Sequence, residues 1–359
     1  MIPQIEPWID GEELAQLKQV IESTWITENR KTEEFENRIK EITGAKYALS
    51  FCNGTVALYV AQKVLGIGTG DEVIVPDFTF IATSNSVIMA GAKPVMVDVD
   101  RKTFNMDAAK IEAAITPKTK AIMPVHIYAQ SADMDAIMKV AKKHNLPVIE
   151  DAAQGIGVYF NKKHTGTFGD IGMLSFYGNK TITTGEGGVL ITNNDELFKK
   201  CWQMKNHGRE VKGTFIHPHI GFNFGFTEMQ AAIGVAQLNK MERIFRRKNE
   251  IHDLYAKLLQ GVKGVEMTHV DGRGTPGHWF TSILVDDVDK LAEHLKKNEI
   301  QTRRFFYPLH MQPCYKGMVT GEFPNAEWAY EHGLSLPSSY NLTNDQIGMI
   351  AEKIREFYG

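Results

Sequence analysis

The chain has 359 residues, 40 Lys and Arg against 43 Asp and Glu, a formal net charge of -3 and 43% hydrophobic residues. That length exceeds one ordinary hydrophobic core and points to two domains. The near-balanced charge points to neither a nucleic-acid nor a membrane partner. The three cysteines, Cys52, Cys201 and Cys314, are too few and too scattered for a disulfide framework or a cysteine-rich zinc site, and read as reduced thiols. The opening MIPQIEPWIDGEE lacks the basic and apolar stretches of a secretory signal, and no apolar run reaches bilayer-spanning length, so a cytoplasmic protein is expected.

Leu14, Leu17 and Ile21 recur at helical spacing and predict a helix over 11–23; a second is predicted near 31–43, where Phe35 and Ile39 are four apart. AKYALSF (45–51) predicts a short strand. Gly54-Thr55 opens an apolar-periodic helix that ends near Gly66 and Gly68. Strands and helices then alternate: a strand ending at Pro76, a helix of small residues at 79–90, the strand KPVMVDVD, a helix at 107–115, the strand TKAIMPVHI, a helix at 133–144 and the strand LPVIEDAAQ. Such alternation implies βαβ units around a largely parallel sheet, an α/β fold with helices on both faces. Residues 170–192 read as two strands around a functional loop, and 195–205 as a helix followed by an irregular stretch to about 225. A long helix over 227–257 leads out of the first domain, and the charge in its second half, MERIFRRKNEIHDLYAKLL, reads as a solvated face. Beyond it GHWFTSILVDD, DKLAEHLKKNEI and NDQIGMIAEKIREFY predict a strand and two helices of a smaller α+β unit.

Several residues carry chemistry. Asn53-Gly54-Thr55 stands where a strand gives way to a helix, a place that suits a phosphate because helix starts present unpaired N–H groups; it also fits an ordinary turn and cap. Glu150, Asp151 and Gln154 close a strand at the end where ligands bind in open α/β sheets. A carboxylate there fits the ring nitrogen of pyridoxal phosphate, and equally a helix cap. Lys180, in SFYGNKTITTGEGG, lies among glycines and hydroxyls, unlike a routine surface lysine. A lysine that forms a Schiff base must be unprotonated when it reacts, and burial or a nearby cation lowers its pKa. Gly185, Gly187 and Gly188 also fit a plain hairpin bend. Taken alone, these residues support an α/β enzyme with a phosphate-bearing ligand.

Competing chemistries lack their patterns. His207, His217 and His219 cluster in sequence, but no HExxH accompanies them, and they read as solvated loop residues with no metal expected. There is no GxSxG elbow, no GxxxxGK[ST] loop and no GxGxxG fingerprint.

Asp151, Ser175 and Lys180, with PDFTFIATSNSVIMAGAKPVMVDVD, IEDAAQGIG, GDIGMLSFYGNKTITTGEGG, GFNFGFTEMQAAIGVAQL and FFYPLHMQPCY, resemble the DegT/DnrJ/EryC1/StrS family of pyridoxal-phosphate-dependent sugar aminotransferases over essentially the whole chain. The resemblance implies an aspartate aminotransferase-like fold (fold type I). Its large domain, 1–240, would hold a mainly parallel seven-stranded sheet, joined by the long helix to a small α+β domain, 241–359. It implies pyridoxal 5′-phosphate bound as a Schiff base on Lys180, Asp151 on the pyridine nitrogen, Phe80 stacked on the ring and Gln154 beside the 3′-hydroxyl. Gly54, Thr55 and Ser175 would hold the phosphate. Asn223 would reach the cofactor phosphate of the neighbouring subunit, making a homodimer with shared sites.

FYGNKTITTGEGG looks like the branch that aminates GDP-4-keto-6-deoxymannose at C4 with L-glutamate as donor. UDP- or dTDP-linked sugars, amination at C3, a dehydratase and a regulatory cofactor-binding protein stay open, although the dehydratases carry histidine where Lys180 stands. Tyr307 and His310 would approach the nucleotide diphosphate. Gly225 and the segment Trp25–Asn29, with Trp25 a further candidate for substrate contact, depart from the common pattern.

Overall fold

The computed structural model describes residues Met1–Gly359. The predicted order of elements is present. Helices Gly11–Ser23, Arg30–Thr43 and Gly54–Val64 flank the strand Tyr47–Phe51, and alternating strands and helices follow from Glu72–Pro76 to Ile149–Asp151. One sheet has three parallel strands, with Glu72–Pro76 between Lys93–Val97 and Thr119–Ile122. A second has four, in the order Tyr47–Phe51, Gly188–Thr192, Ile171–Ser175, Ile149–Asp151. It is mixed: Gly188–Thr192 runs antiparallel to both neighbours because the turn after Ser175 sends the chain straight back. The two sheets meet through parallel bridges at Ile122–Val148 and Val125–Asp151. Strands buried on both faces explain runs such as EVIVP and IGMLS, which read as continuous apolar stretches.

The C-terminal part carries an antiparallel sheet of Val265–Met267, Ser282–Val285, Gly333–Ser335 and Arg303–Arg304. Its own core includes Ile251, Tyr255, Leu291, Leu295, Ile347 and Ile354. The chain's first residues join this part, for Ile2 bridges Ile300 and Gln4 donates to the carbonyl of Leu336 at 3.3 Å.

Two expectations are corrected by packing. Leu14 and Ile21 are exposed, and the helix Gly11–Ser23 buries Glu13 and Val20 instead. Lys240 explains the buried acid: its ammonium meets Glu13 at 2.6 Å and Asp10 at 3.3 Å. The second half of the long helix Glu228–Leu259 is not simply a solvated face, since Ile244, Lys248, Ile251 and Tyr255 follow helical spacing and are all buried.

At the head of that helix Thr227 forms a capping box with Gln230, as its position before the apolar run predicts. The next residue, Glu228, caps another helix. Asn29 makes no side-chain cap for Arg30–Thr43; the buried carboxylate of Glu228 accepts the N–H groups of Asn29, Lys31 and Thr32 at 2.7–2.8 Å and the Thr32 hydroxyl at 2.7 Å. Replacing Glu228 by alanine strands these donors, each worth roughly 1–3 kcal/mol when left unpaired. Glu228→Ala is expected to lose about 3 kcal/mol in urea unfolding after partial rescue by water, and a loss under 1 kcal/mol would show that the carboxylate is not this helix's cap.

Candidate active site

One cavity gathers most of the chemistry-bearing residues. Gly54, Thr55, Phe80, Asp151, Gln154, Ser175 and Lys180 all line it. Three strand ends and one helix start bring them together. Ser175 and Asp151 are the last residues of their parallel-paired strands, and Gly54 and Thr55 open the helix Gly54–Val64 behind Tyr47–Phe51.

Asn53 Oδ1 accepts the N–H of Val56 at 3.0 Å, so the N–H groups of Gly54 and Thr55 are those a helix start leaves free. A Cβ on Gly54 would stand 3.0 Å from Met173 Sδ, and one on Gly188 only 2.7 Å from the backbone of Asn53 and Gly54. Close backbone approach therefore demands glycine at Gly188, while a side chain at Gly54 would press on the flexible Met173. The Ser175 hydroxyl faces the same end of the cavity and accepts only a long bond, 3.4 Å, from Tyr177 N–H.

Asp151 is buried in the lining of the same cavity. Its carboxylate accepts the Thr83 hydroxyl at 2.7 Å and the Ala153 N–H at 3.1 Å, and Thr83 is itself 3.1 Å from Thr79 Oγ1. Loss of hydration pushes its pKa up, against these bonds and the attraction of Lys180. A carboxylate so placed gains most from a cationic partner such as a protonated ring nitrogen.

Glu150 does not face the cavity as its place beside Asp151 suggested. Side chains alternate along a strand, and Glu150 instead accepts the N–H groups of Gly166, Phe168 and Gly169 at 2.6–2.7 Å and meets His126 Nε2 at 3.0 Å. Gln154 turns its carbonyl oxygen to the N–H of Tyr128 at 2.5 Å, leaving its amide nitrogen for another partner.

Lys180 is on the wall of the same cavity. Burial, opposed by Asp151 and aided by Arg303, pushes its pKa down to about 8. Its Nζ lies 4.0 Å from the ring centroid of Trp279, whose indole N–H donates to the carbonyl of Asn179 at 2.7 Å. Phe80, in a run that suggests core, is 56% exposed and presents its ring to the cavity. Phosphate donors, a buried acid, an amine with a depressed pKa and an exposed aromatic ring gathered in one cavity fit pyridoxal phosphate.

Four sequence candidates lie outside this lining. Asn223 is exposed, with Oδ1 accepting the N–H of Gly225 at 3.2 Å, and Trp25 is 54% exposed. Tyr307 packs edge-on against Tyr330. His310 is an anchor: its N–H and Nδ1 meet Asp77 at 2.8 and 2.6 Å, and its Nε2 lies 3.2 Å from Glu327. That bond holds Asp77 against burial, which lifts the carboxyl to about 6. His207, His217 and His219 are exposed loop residues, and no group of three or more His, Cys, Asp or Glu is placed to hold a metal.

Sequence reading missed Thr83, Trp279 and Arg303. Trp279 and Arg303 reach the cavity from the C-terminal part, far along the chain from the motif around Lys180, and only the proximity of QTRR to FFYPLH hinted at the second.

The family model for the DegT/DnrJ/EryC1/StrS aminotransferase family matches residues 7–355. The GDP-perosamine synthase of Escherichia coli O157:H7 is 42% identical over 361 residues, covering 99% of this chain and 98% of that protein. The GDP-perosamine synthase of Vibrio cholerae is 38% identical over 366 residues, covering 100% and 99%. Among solved structures, S. venezuelae DesV in complex with a ketimine intermediate superposes with a TM-score of 0.94 at 30% identity, covering 99% of this chain and 98% of that one. No helix is long and apolar enough to cross a membrane. With its cavity suited to pyridoxal phosphate and its whole length matched, the chain belongs to the DegT/DnrJ/EryC1/StrS aminotransferase family.

Proposed function

We propose that this enzyme transfers the amino group of L-glutamate to C4 of a nucleotide-linked 4-keto-6-deoxy sugar, GDP-4-keto-6-deoxymannose, giving GDP-perosamine. The observation that carries the substrate is full-length similarity to two GDP-perosamine synthases at 42% and 38% identity. Purified enzyme with glutamate and a panel of GDP-, UDP- and dTDP-linked 3-keto and 4-keto sugars tests it. GDP-4-keto-6-deoxymannose is expected to give the highest kcat/KM, with 2-oxoglutarate formed in equal amount; preference for another nucleotide overturns the assignment.

When bound, pyridoxal phosphate supplies a carbonyl that takes up amines and a ring that draws electrons from the bond being broken. The chain does the rest. Gly54, Thr55 and Ser175 hold the phosphate, Phe80 covers the ring, and Gln154 offers its amide at the ring's edge. Asp151 keeps a proton on the ring nitrogen. Lys180 Nζ holds the cofactor at rest. With its amine free, Lys180 would be the base that takes the proton from the donor's α-carbon and the acid that returns one to the sugar carbon. Arg303 makes no ion pair within the chain, and its guanidinium is a free cation for a donor carboxylate.

The amine must be neutral to react. Because burial depresses its pKa to about 8, the neutral form appears at lower pH than for a free lysine. The rate at which apoprotein takes up pyridoxal phosphate should rise with pH to a midpoint near 8, and borohydride should then fix the label on Lys180. A midpoint above 10, or a label on another lysine, contradicts this role.

The reading divides the chain near residue 240 and treats the two bridged sheets as one seven-stranded layer of fold type I; the bridges at Ile122–Val148 and Val125–Asp151 support it. It also makes the working unit a homodimer. Phe215 is 87% exposed, and Ile216, Ile220, Trp25 and Ile26 are exposed as well, an apolar surface that a second copy would cover. Asn223 then reaches the partner's phosphate. Chains carrying Lys180→Ala, mixed with impaired Asn223→Ala chains under exchange, should regain activity by forming one intact site per heterodimer. No recovery, with exchange confirmed by mass, places Asn223 within its own chain.

A further inference from the structure

The long helix Glu228–Leu259 carries a second buried amine that the reaction scheme leaves unused. Lys248 has no carboxylate partner; its Nζ donates to the carbonyl of Trp279 at 2.9 Å and to the carbonyl of Ser338 at 2.8 Å. A neutral amine has two N–H bonds and here finds two acceptors, so no buried charge is needed to satisfy the site. Burial pushes the pKa of this amine down to about 7. The groups around it carry no carboxylate to oppose that. His278 and His252 stack with ring centroids 3.9 Å apart, and Asp253, which meets His252 Nδ1 at 3.3 Å, is exposed.

What Lys248 grips matters more than its own charge. Trp279 is the residue whose ring lies against Lys180 Nζ at 4.0 Å and whose indole N–H holds the carbonyl of Asn179, one residue before Lys180. The same stretch is tied on its other side, for Thr281 N–H donates to Ser338 Oγ at 2.9 Å and Ser338 Oγ donates to the carbonyl of Leu336 at 2.8 Å. Lys248 thus clamps the segment 279–281 to the segment 336–338 from below, and that clamped segment presents the indole.

We propose that Lys248 is a positioning residue for the reacting amine: by fixing the backbone of Trp279 it holds the indole against Lys180 and keeps water from its Nζ. The proposal rests on the reading of Lys180 as the amine that reacts. Three charged groups also face Lys180 in the cavity, Asp151, Arg303 and Glu186, and a change at Lys248 leaves all of them in place. Freeing the indole lets water reach Nζ, and water favours the ammonium, so the proton affinity of Lys180 rises.

The test is made on apoprotein and needs no turnover. Lysines are labelled biosynthetically with carbon-13 at Cε, the Lys180 signal is assigned by its loss in Lys180→Ala, and its pKa is read by NMR titration. Lys248→Met and Trp279→Phe are each expected to raise that pKa by about one unit, a tenfold change in proton affinity. The double variant should go no further than the larger single change, because both act through one indole. Lys248→Arg, which keeps two donors in the slot, should lie nearer to wild type than Lys248→Met does.

An unchanged Lys180 pKa in Lys248→Met, with only a lower melting temperature, makes the residue a stability element and overturns the proposal. Additive shifts in the double variant overturn the route through Trp279. If the methionine variant does not fold, Trp279→Phe and Lys248→Arg carry the decision: an unshifted Trp279→Phe sinks the proposal. Reaction of cofactor at a lysine other than Lys180 would instead refute the functional reading, and it is a separate measurement from these titrations.

Discussion

A buried acid and a half-buried amine share one cavity, and the rest of the structure serves to keep them there. Burial drives them in opposite directions: the Asp151 carboxyl is pushed toward its neutral form and the Lys180 amine likewise, each loss of hydration only partly offset by the other's charge. Both groups are thereby made ready for a ligand that brings what water no longer supplies. A protonated ring nitrogen satisfies the acid, and a carbonyl carbon consumes the amine. The two threonines under Asp151, Thr79 and Thr83, matter because a hydroxyl donor fixes the carboxylate's direction without neutralising it.

Much of the architecture was legible because it depends on local pattern. Strand and helix alternation follows from residues close in sequence to the elements that carry them, whereas the gathering of Gly54, Asp151, Ser175 and Lys180 in one cavity was legible only through the family resemblance. The misreadings share a different cause. Leu14 and Ile21 have helical spacing but no core beneath them, and periodicity cannot say which surface, the chain's own interior or something outside it, an apolar stripe will meet. Lys240 and Lys248 look like solvated charge because a lysine is almost always that, and only the carboxylate of Glu13, or a pair of carbonyls 31 and 90 residues further along the chain, makes their burial tolerable.

His310 shows how one residue type can mislead in a motif-rich segment. Standing in YPLHMQP it invites a substrate role, yet both its nitrogens and its backbone N–H are committed to Asp77 and Glu327. Asp77 lies at the end of Glu72–Pro76, two residues before Thr79 and three before Phe80. The histidine therefore acts on the cavity at one remove: it ties the C-terminal segment to the turn that presents Phe80. Tyr315 makes a second tie nearby, with its hydroxyl 2.7 Å from Ser84 Oγ and donating to Asn85 Oδ1 at 2.6 Å.

These ties and the Lys248 clamp solve the same mechanical problem from opposite sides. The cavity is lined mostly by strand ends and a helix start of the N-terminal part, but Trp279, Arg303 and Phe306 enter it from the C-terminal part. Side chains contributed by separate packing units hold their relative positions only as well as the units hold each other. Apolar contact alone is a poor guarantor of that, because it lacks direction; hydrogen bonds with fixed donors and acceptors supply it. The carboxylate at His310 and the hydroxyl at Tyr315 are directional contacts across that boundary, and the two carbonyls that Lys248 holds fix, within the C-terminal part, the segment that presents Trp279. A chain that must bring a distant indole within 4.0 Å of its reacting amine has reason to place its costliest buried polar groups there, where an error of an ångström in register would fall directly on the proton being moved.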